Sequence, residues 1–307
     1  MIPHLDILGL GCVAIDDLLY VDAYPGVDAK AQIRCRHRQC GGLTATALVA
    51  ASRLGSQCAY AGVLGDDDLC RFVLDRFRQE RIDVAHVRHH AGARPVHSTV
   101  IVEERRQTRT ILYDLEGVVG ADSDWPEEEV IRAARVLFVD NFGEAGMIRA
   151  ARVAREASIP VVADFENDEG RRFAELLALV DHLILSQDFA RKLTGRPDPA
   201  VAARELWTPS RQAVVVTCGE QGCWHVSAGE PCRPARQTAF AVPVVDTTGC
   251  GDVFHGAYAA ALTHELDVAA RVRFASAAAA LKATARGGQG GIPTRAAVEA
   301  FLNEQDR

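Results

Sequence analysis

The sequence predicts an α/β protein with a central, mostly parallel sheet, helices on both of its faces and a small extra β-sheet. Three observations lead there. From Val136 onward, short apolar runs alternate with segments of helical spacing, and strands separated by helices of ten or more residues must run parallel. With 307 residues, 48% of them hydrophobic, the chain can bury one large core. The N-terminal third carries β-hairpin content that has no place in such a sheet.

In order along the chain, Leu5–Leu10 is a short apolar strand and Val13–Val21 a second extended stretch. Gly42–Leu54, rich in small residues and stopped by Gly55, reads as a helix. Cys58–Val63 is a strand and Asp67–Glu80 a helix. Ser98–Val102 and Thr108–Tyr113 flank the polar turn EERRQ as a hairpin. Strands then follow at Val136–Asp140, Val161–Asp164, His182–Leu185, Val214–Thr217 and Cys223–Val226. Helices fall at Ala145–Ala157, Gly170–Leu179 and Asp188–Leu193. Further helices start from Asp252, span Val268–Ala285 and start from Thr294. No repeat or low-complexity linker interrupts the pattern, so residues 1–307 are expected to form a single domain. The extra β content is expected to form a lid from insertions at about 12–40 and 94–114.

Composition excludes several functions. The net charge of −7 and the absence of a Lys/Arg block argue against nucleic acid as a partner. The basic stretch Arg34–Arg38 alternates like one solvated strand face. No basic leader opens the chain, and no run reaches the roughly 18 apolar residues that span a bilayer. The nearest run, AAAALKATA, is interrupted by Lys282. Nine cysteines without a C-x-x-C pair give little support for zinc and point to a reducing compartment. The expectation is a soluble, cytoplasmic protein with no membrane partner.

The chemistry concentrates in VVDTTGCGDVFHGAYAAAL, residues 244–262. It reads as a strand, a tight glycine turn, and a helix with Asp252 in its first turn. Gly249 and Gly251 let backbone N–H groups converge at the helix start, where partial positive charge favours phosphate. A carboxylate at the same point can take a proton from a hydroxyl. One turn thus offers an anion cradle and a general base, the two needs of phosphoryl transfer to an alcohol. Taken alone, Asp252 would be an ordinary helix cap.

The composite D-T-T-G-x-G-D-x-F-x-G resembles the C-terminal signature of the ribokinase/PfkB carbohydrate kinases, and the resemblance extends from about residue 5 to residue 303. It implies a ribokinase-like fold, ATP-dependent phosphorylation of a sugar-like hydroxyl, Mg2+, a K+-type monovalent cation and a homodimer. Asp252 would be the base, with Gly249, Cys250 and Gly251 lining the anion hole. Asp16, in GCVAIDDLLYVD, would bind sugar hydroxyls, and Gly41 and Gly42 would let the substrate approach the backbone. Thr217, Gly219 and Gly222, in VVVTCGEQGCW, would lie beside the nucleotide phosphates. Ser276 and Ala279 would flank adenine. ARGGQGGIP would run between the nucleotide and the cation, which Asp246 and Thr248 would hold.

The chain departs from the family pattern in two places. Thr46 stands in GGLTAT where the family has Asn. SQDF replaces the N-x-x-E motif, so Ser186 stands for Asn, Phe189 stands for Glu, and no magnesium ligand is assigned. DVFHG, VRFAS, ALKAT and GGxxGIP look closest to the sulfofructose kinase branch. Lys30 could supply that branch's cation, but Leu112 and Phe142 fall where Asn and Arg would be needed to grip a sulfonate. The sugar is therefore left open.

GLGCVA at residues 9–14 fits a dinucleotide fingerprint, but extended structure follows where a helix is required. His255, one turn after Asp252, reads as a packed helix-face histidine rather than a phosphate ligand. Two alternatives remain: a nucleoside kinase, and a non-catalytic sugar- or nucleotide-binding protein on the same fold.

Overall fold

The computed structural model describes residues 5–103, 105–106, 108–230 and 232–307. The first half of the chain runs β1 (Leu5–Gly9), β2 (Ala14–Val21), β3 (Cys35–Gly41), α1 (Leu43–Arg53), β4 (Cys58–Tyr60), β5 (Val63–Leu64), α2 (Asp68–Gln79), β6 (Arg88–His89), β7 (Val96–Glu103), β8 (Thr108–Asp114), α3 (Glu128–Arg132) and β9 (Ala134–Val139). The second half runs α4 (Glu144–Glu156), β10 (Val161–Asp164), α5 (Phe173–Ala178), β11 (His182–Ser186), α6 (Gln187–Thr194), α7 (Pro199–Leu206), β12 (Ala213–Thr217), β13 (Cys223–Ser227), β14 (Ala235–Gln237), α8 (Cys250–Thr263), α9 (Val268–Ala283) and α10 (Arg295–Gln305).

Eight strands form the main sheet in the order β14-β13-β12-β11-β10-β9-β1-β4. The strands from β12 to β4 pair in parallel, and β13 and β14 add an antiparallel edge. Side chains alternate across this sheet with period two. Val136 and Phe138 of β9, Ile184 of β11 and Val215 of β12 enter one core with α1, α8 and α9. Their neighbours Leu137, Val139, Leu183, Leu185, Val214 and Val216 enter the core on the opposite face. Both faces are therefore covered, as a parallel sheet demands.

Four more strands form a separate sheet in the order β3-β2-β7-β8. Its outer pairs are antiparallel, whereas β2 and β7 run parallel. The two halves, residues 14–41 and 96–114, thus join through a parallel seam. Within the expected EERRQ turn, Glu104 and Gln107 lie outside the described residues, as do residues 1–4.

Some element limits differ from expectation for local reasons. The predicted strand Cys58–Val63 divides into β4 and β5 at Ala61-Gly62. Gly62 lies so close to the Tyr60 ring and the Leu10 carbonyl that a Cβ there would clash. Helix α7 was not predicted, yet Asp198 caps it by accepting from Ala200 N at 2.8 Å, and Pro199 opens it. The fingerprint-like GLGCVA leads into β2, and Gly11 leaves room for the Asp140 carboxylate.

Helix α8 is buried on nearly every side from Val253 to Ala261. Small residues make this feasible. Gly256 lies against the Ala47 carbonyl of α1, with no room for a Cβ. Replacing Gly256 by Ala forces these helices apart. We expect Gly256→Ala to cost about 1–3 kcal/mol, read as a lower urea midpoint. Gly229→Ala, where an added Cβ meets nothing within 4 Å, should leave the midpoint unchanged.

Candidate active site

The carboxyl ends of β1, β9, β10, β11 and β12 open toward the amino end of α8, and the four-stranded sheet stands beside this opening. In an open α/β sheet such an edge is where ligands bind. Gly249 caps α8 in the left-handed region at φ 74°, and Asp252 is the third residue of the helix. The turn is seated on the 286–291 loop, because a Cβ on Gly249 would come 2.9 Å from the Gly288 carbonyl. A Cβ on Gly251 would meet nothing within 4 Å, so the helix start faces open space.

Burial pushes the Asp252 carboxyl well above its ordinary range, and the nearby Asp164 and Glu166 carboxylates push it further. His255 opposes this shift, and Asp16 adds to it. Asp16 lies on β2, so the two sequence-predicted acids belong to one electrostatic field although they sit on different sheets. Burial also raises Asp16, while Gln39 and Ser98 donate hydrogen bonds that favour its charged form.

Gly41 and Gly42 join β3 to α1 beside Asp16. A Cβ on Gly41 would lie 2.7 Å from Asp16 Oδ2. Gly42, at φ 96°, caps α1 with the Ala14 amide and the Cys12 carbonyl 2.7 Å from where its Cβ would be. Gln39, not singled out from sequence, accepts from Gly288 N at 3.1 Å and so ties β3 to the 286–291 loop. Thr46 takes a different position from the one expected. It is 1% exposed, and its hydroxyl receives the Gln289 amide at 3.4 Å, so it supports the floor and presents almost no surface to a ligand. Lys30 stands exposed on the segment between β2 and β3. Phe142 packs against the apolar cluster of Cys12, Ala14 and Val96.

At the end of β12, the Thr217 hydroxyl donates to the Leu185 carbonyl at 3.3 Å. Gly219 and Gly222 follow at φ 56° and 88°. Only Gly222 is crowded, by the backbone at the end of β14. Ser276 and Ala279 are half-buried on α9. Cys250 Sγ approaches the Ala279 carbonyl at 3.6 Å, which joins the turn to that helix. Val244 and Val245, 63% and 56% exposed, add apolar surface that sequence reasoning missed.

Asp246 and Thr248 do come together. Asp246 Oδ1 accepts from Thr248 N and Oδ2 from Gly287 N, both at 2.8 Å. Burial opposes ionisation of Asp246, but these bonds and the Lys282 charge outweigh it and hold the carboxyl below its ordinary value. The Thr248 hydroxyl accepts from Arg109 of β8, and the Asp246 carbonyl accepts from Lys282 Nζ at 2.9 Å. Protein donors already engage the oxygens expected to hold a monovalent cation.

Three carboxylates at strand ends were not found from sequence. Asp140 accepts from Cys12 N, Thr44 Oγ1 and Phe142 N, and burial raises it to about 6. Asp164 Oδ2 lies 3.2 Å from His255 Nδ1 and has no hydrogen-bond partner among the described residues. Glu166 is raised, first by burial. His255 itself is buried, with its nitrogens against the Gly251 and Ile184 carbonyls at 2.8 and 3.0 Å. It packs rather than faces the cleft.

SQDF has a structural use. Ser186 caps α6 by accepting from Phe189 N at 3.2 Å. Phe189 is buried near Phe173, with ring centroids 6.0 Å apart. Asp188 is exposed and pairs with Arg191 at 3.0 Å.

The family model described as pfkB family carbohydrate kinase matches residues 10–295. The ribokinase of Haemophilus influenzae is 28% identical over 276 residues, covering 85% of this chain and 87% of that protein. Fructokinase-1 of Zea mays is 26% identical, covering 84% and 86%. A solved structure from Agrobacterium tumefaciens superposes with a TM-score of 0.91 at 28% identity, over 99% of both chains. The Arabidopsis thaliana ribokinase complexed with ribose and ATP shares the fold, with a TM-score of 0.83 at 23% identity over 98% and 99%. The chain belongs to the pfkB carbohydrate kinase family and is an ATP-dependent carbohydrate kinase of ribokinase-like fold.

If Asp252 is the general base, it works only when ionised, so activity should grow as pH rises through its elevated pKa. The acid limb of kcat/KM, which reports the free enzyme, should lie above the ordinary carboxylate value of about 4. Glu166→Gln removes one repelling charge and should move that limb to lower pH. A pH–rate profile of both proteins checks this.

Proposed function

We propose that this kinase transfers the γ-phosphoryl group of ATP to a hydroxyl of a small neutral sugar of the ribose or fructose kind, with Asp252 as general base. The observation that carries the reading is the position of Asp252 at the third residue of α8, above a left-handed glycine turn that opens to the cleft. The sugar would rest between Asp16, held by Gln39 and Ser98, and the apolar wall that includes Phe142. As Asp252 takes the hydroxyl proton, the sugar oxygen bonds to the γ-phosphorus. The bond from that phosphorus to the β–γ bridging oxygen breaks, and ADP leaves. The N–H groups of residues 249–251 would meet the charge on the transferring group.

ATP would lie along Thr217, Gly219 and Gly222, with adenine between Ser276 and Ala279 on one side and Val244 and Val245 on the other. Among the described residues no three His, Cys, Asp or Glu side chains converge to hold a metal by themselves. The excess of carboxylate oxygen around the unpartnered Asp164 Oδ2 nevertheless fits a hard divalent cation that keeps most of its waters. Glu166 and Asp164 would hold the water shell of Mg2+, which would neutralise phosphate charge.

The four-stranded sheet would act as a lid that excludes water. Its edge strand β8 exposes Ile111, Leu112, Tyr113 and nearby Leu115, a surface suited to pairing with a second copy. Light scattering that shows only monomer would remove the dimer from this account. A sulfonated sugar is disfavoured, since Leu112 and Phe142 offer no fork for the anion and Lys30 stands on an exposed segment.

The test is ADP release from Mg-ATP across ketoses, aldoses, nucleosides and sulfosugars. We expect a neutral sugar to be turned over, and Asp252→Asn to reduce kcat about 10²- to 10⁴-fold. A nucleoside as the sole acceptor would change the substrate class. A variant with near-normal turnover would remove Asp252 as base, and no acceptor despite ATP binding would favour a binding protein.

A further inference from the structure

We propose that the ammonium of Lys282 is a built-in cation that charges the anion-binding turn from behind, in place of a free monovalent cation. The inference rests on the proposed role of that turn in phosphoryl transfer.

Lys282 is fully buried in the last turn of α9, a rare location for an unpaired lysine. Its Nζ donates to the backbone carbonyl of Asp246 at 2.9 Å. Asp246 begins the D-T-T-G-C-G-D segment that ends at Asp252, so the ammonium is fixed to the irregular segment that enters the turn. Burial lowers the proton affinity of Lys282 and Arg109 lowers it further, while the Asp246 and Asp252 carboxylates oppose that shift and favour the ammonium.

The oxygens expected to hold a free cation are engaged by the protein itself. Both carboxylate oxygens of Asp246 accept from backbone N–H groups, and the Thr248 hydroxyl accepts from the Arg109 guanidinium. A mobile cation at this point would meet two protein cations and a ligand set that is already bonded. The residues therefore do not fit a separate K+ ion. Lys282 supplies the same sign of charge without the entropy cost of capturing an ion. Arg109 adds a second positive group from β8 of the other sheet.

A tether for the end of α9 would use the same hydrogen bond, so the test must read charge as well as integrity. MgATP affinity, by titration calorimetry, and turnover of the accepted sugar are measured in K+, Na+ and tetramethylammonium at matched ionic strength. The wild-type protein should give the same Kd and kcat in all three. Lys282→Ala should weaken both by about 10- to 100-fold in tetramethylammonium. K+ or ammonium, entering the space left by the side chain, should restore part of the loss. Marked activation of the wild type by K+ overturns the proposal, as does a folded Lys282→Ala protein that responds to no cation or loses nothing. If Lys282→Ala does not fold, the wild-type comparison decides alone. A chain that binds MgATP but turns over no sugar contradicts the substrate reading, while the affinity comparison still decides the role of Lys282.

Discussion

The burial of helix α8 is the constraint on which the rest of the molecule depends. Its amino end must reach the cleft while its body passes between the main sheet, α1 and α9. Small residues let it pass at the tightest contacts. Gly256 admits the Ala47 carbonyl, and the alanines at 257 and 259–261 keep the helix close on other sides, while the buried Tyr258 reaches His182 at 3.1 Å. A helix held so firmly delivers its unpaired N–H groups to one fixed place. In a low-dielectric setting those groups and Asp252 act more strongly than they would on an exposed helix. The left-handed Gly249 then turns the chain without a side chain in the way.

That placement creates an electrostatic problem, which the surrounding residues partly resolve. Asp164, Glu166 and Asp16 raise the proton affinity of the already desolvated Asp252 carboxyl, and Asp140 in turn raises that of Asp164. Asp140 is satisfied by three donors, but Asp164 is not. Positive charge enters from the opposite side, through Lys282 below the turn and Arg109 above it. Acids thus lie at the strand ends and cations on the other side of the turn, the arrangement that the proposed phosphate binding and proton abstraction would use.

Local patterns made much of this readable in the sequence. The alternation of strand and helix gave the architecture of the main sheet, and the glycine turn before Asp252 is contiguous, so the helix start it forms could be read directly. Contacts between distant segments were less accessible. Asp140, Asp164 and Glu166 come together only through the register of β9 and β10, which no short motif encodes. Lys282 looked like an interruption in an apolar run, because nothing in that run reveals that its ammonium reaches back to Asp246. SQDF looked like a degraded ligand motif, whereas the fold uses Ser186 as a cap and Phe189 as core. Asp198-Pro199 carries the helix-start signal of α7, a capping aspartate followed by proline. Thr46 matched a substrate position by spacing, yet the Gln289 side chain covers it.

The central claim is that one turn, residues 249–252, receives both the phosphoryl group and the acceptor hydroxyl. The most direct measurement is a crystal structure with the accepted sugar and a non-hydrolysable ATP analogue bound together. The account predicts a sugar hydroxyl about 2.6–3.2 Å from the Asp252 carboxylate, with the terminal phosphate over the amide groups of residues 249–251. A sugar bound elsewhere would contradict it, for instance in the cavity of ≈ 630 Å³ lined by His182, His225 and Arg271 at the opposite end of the sheet.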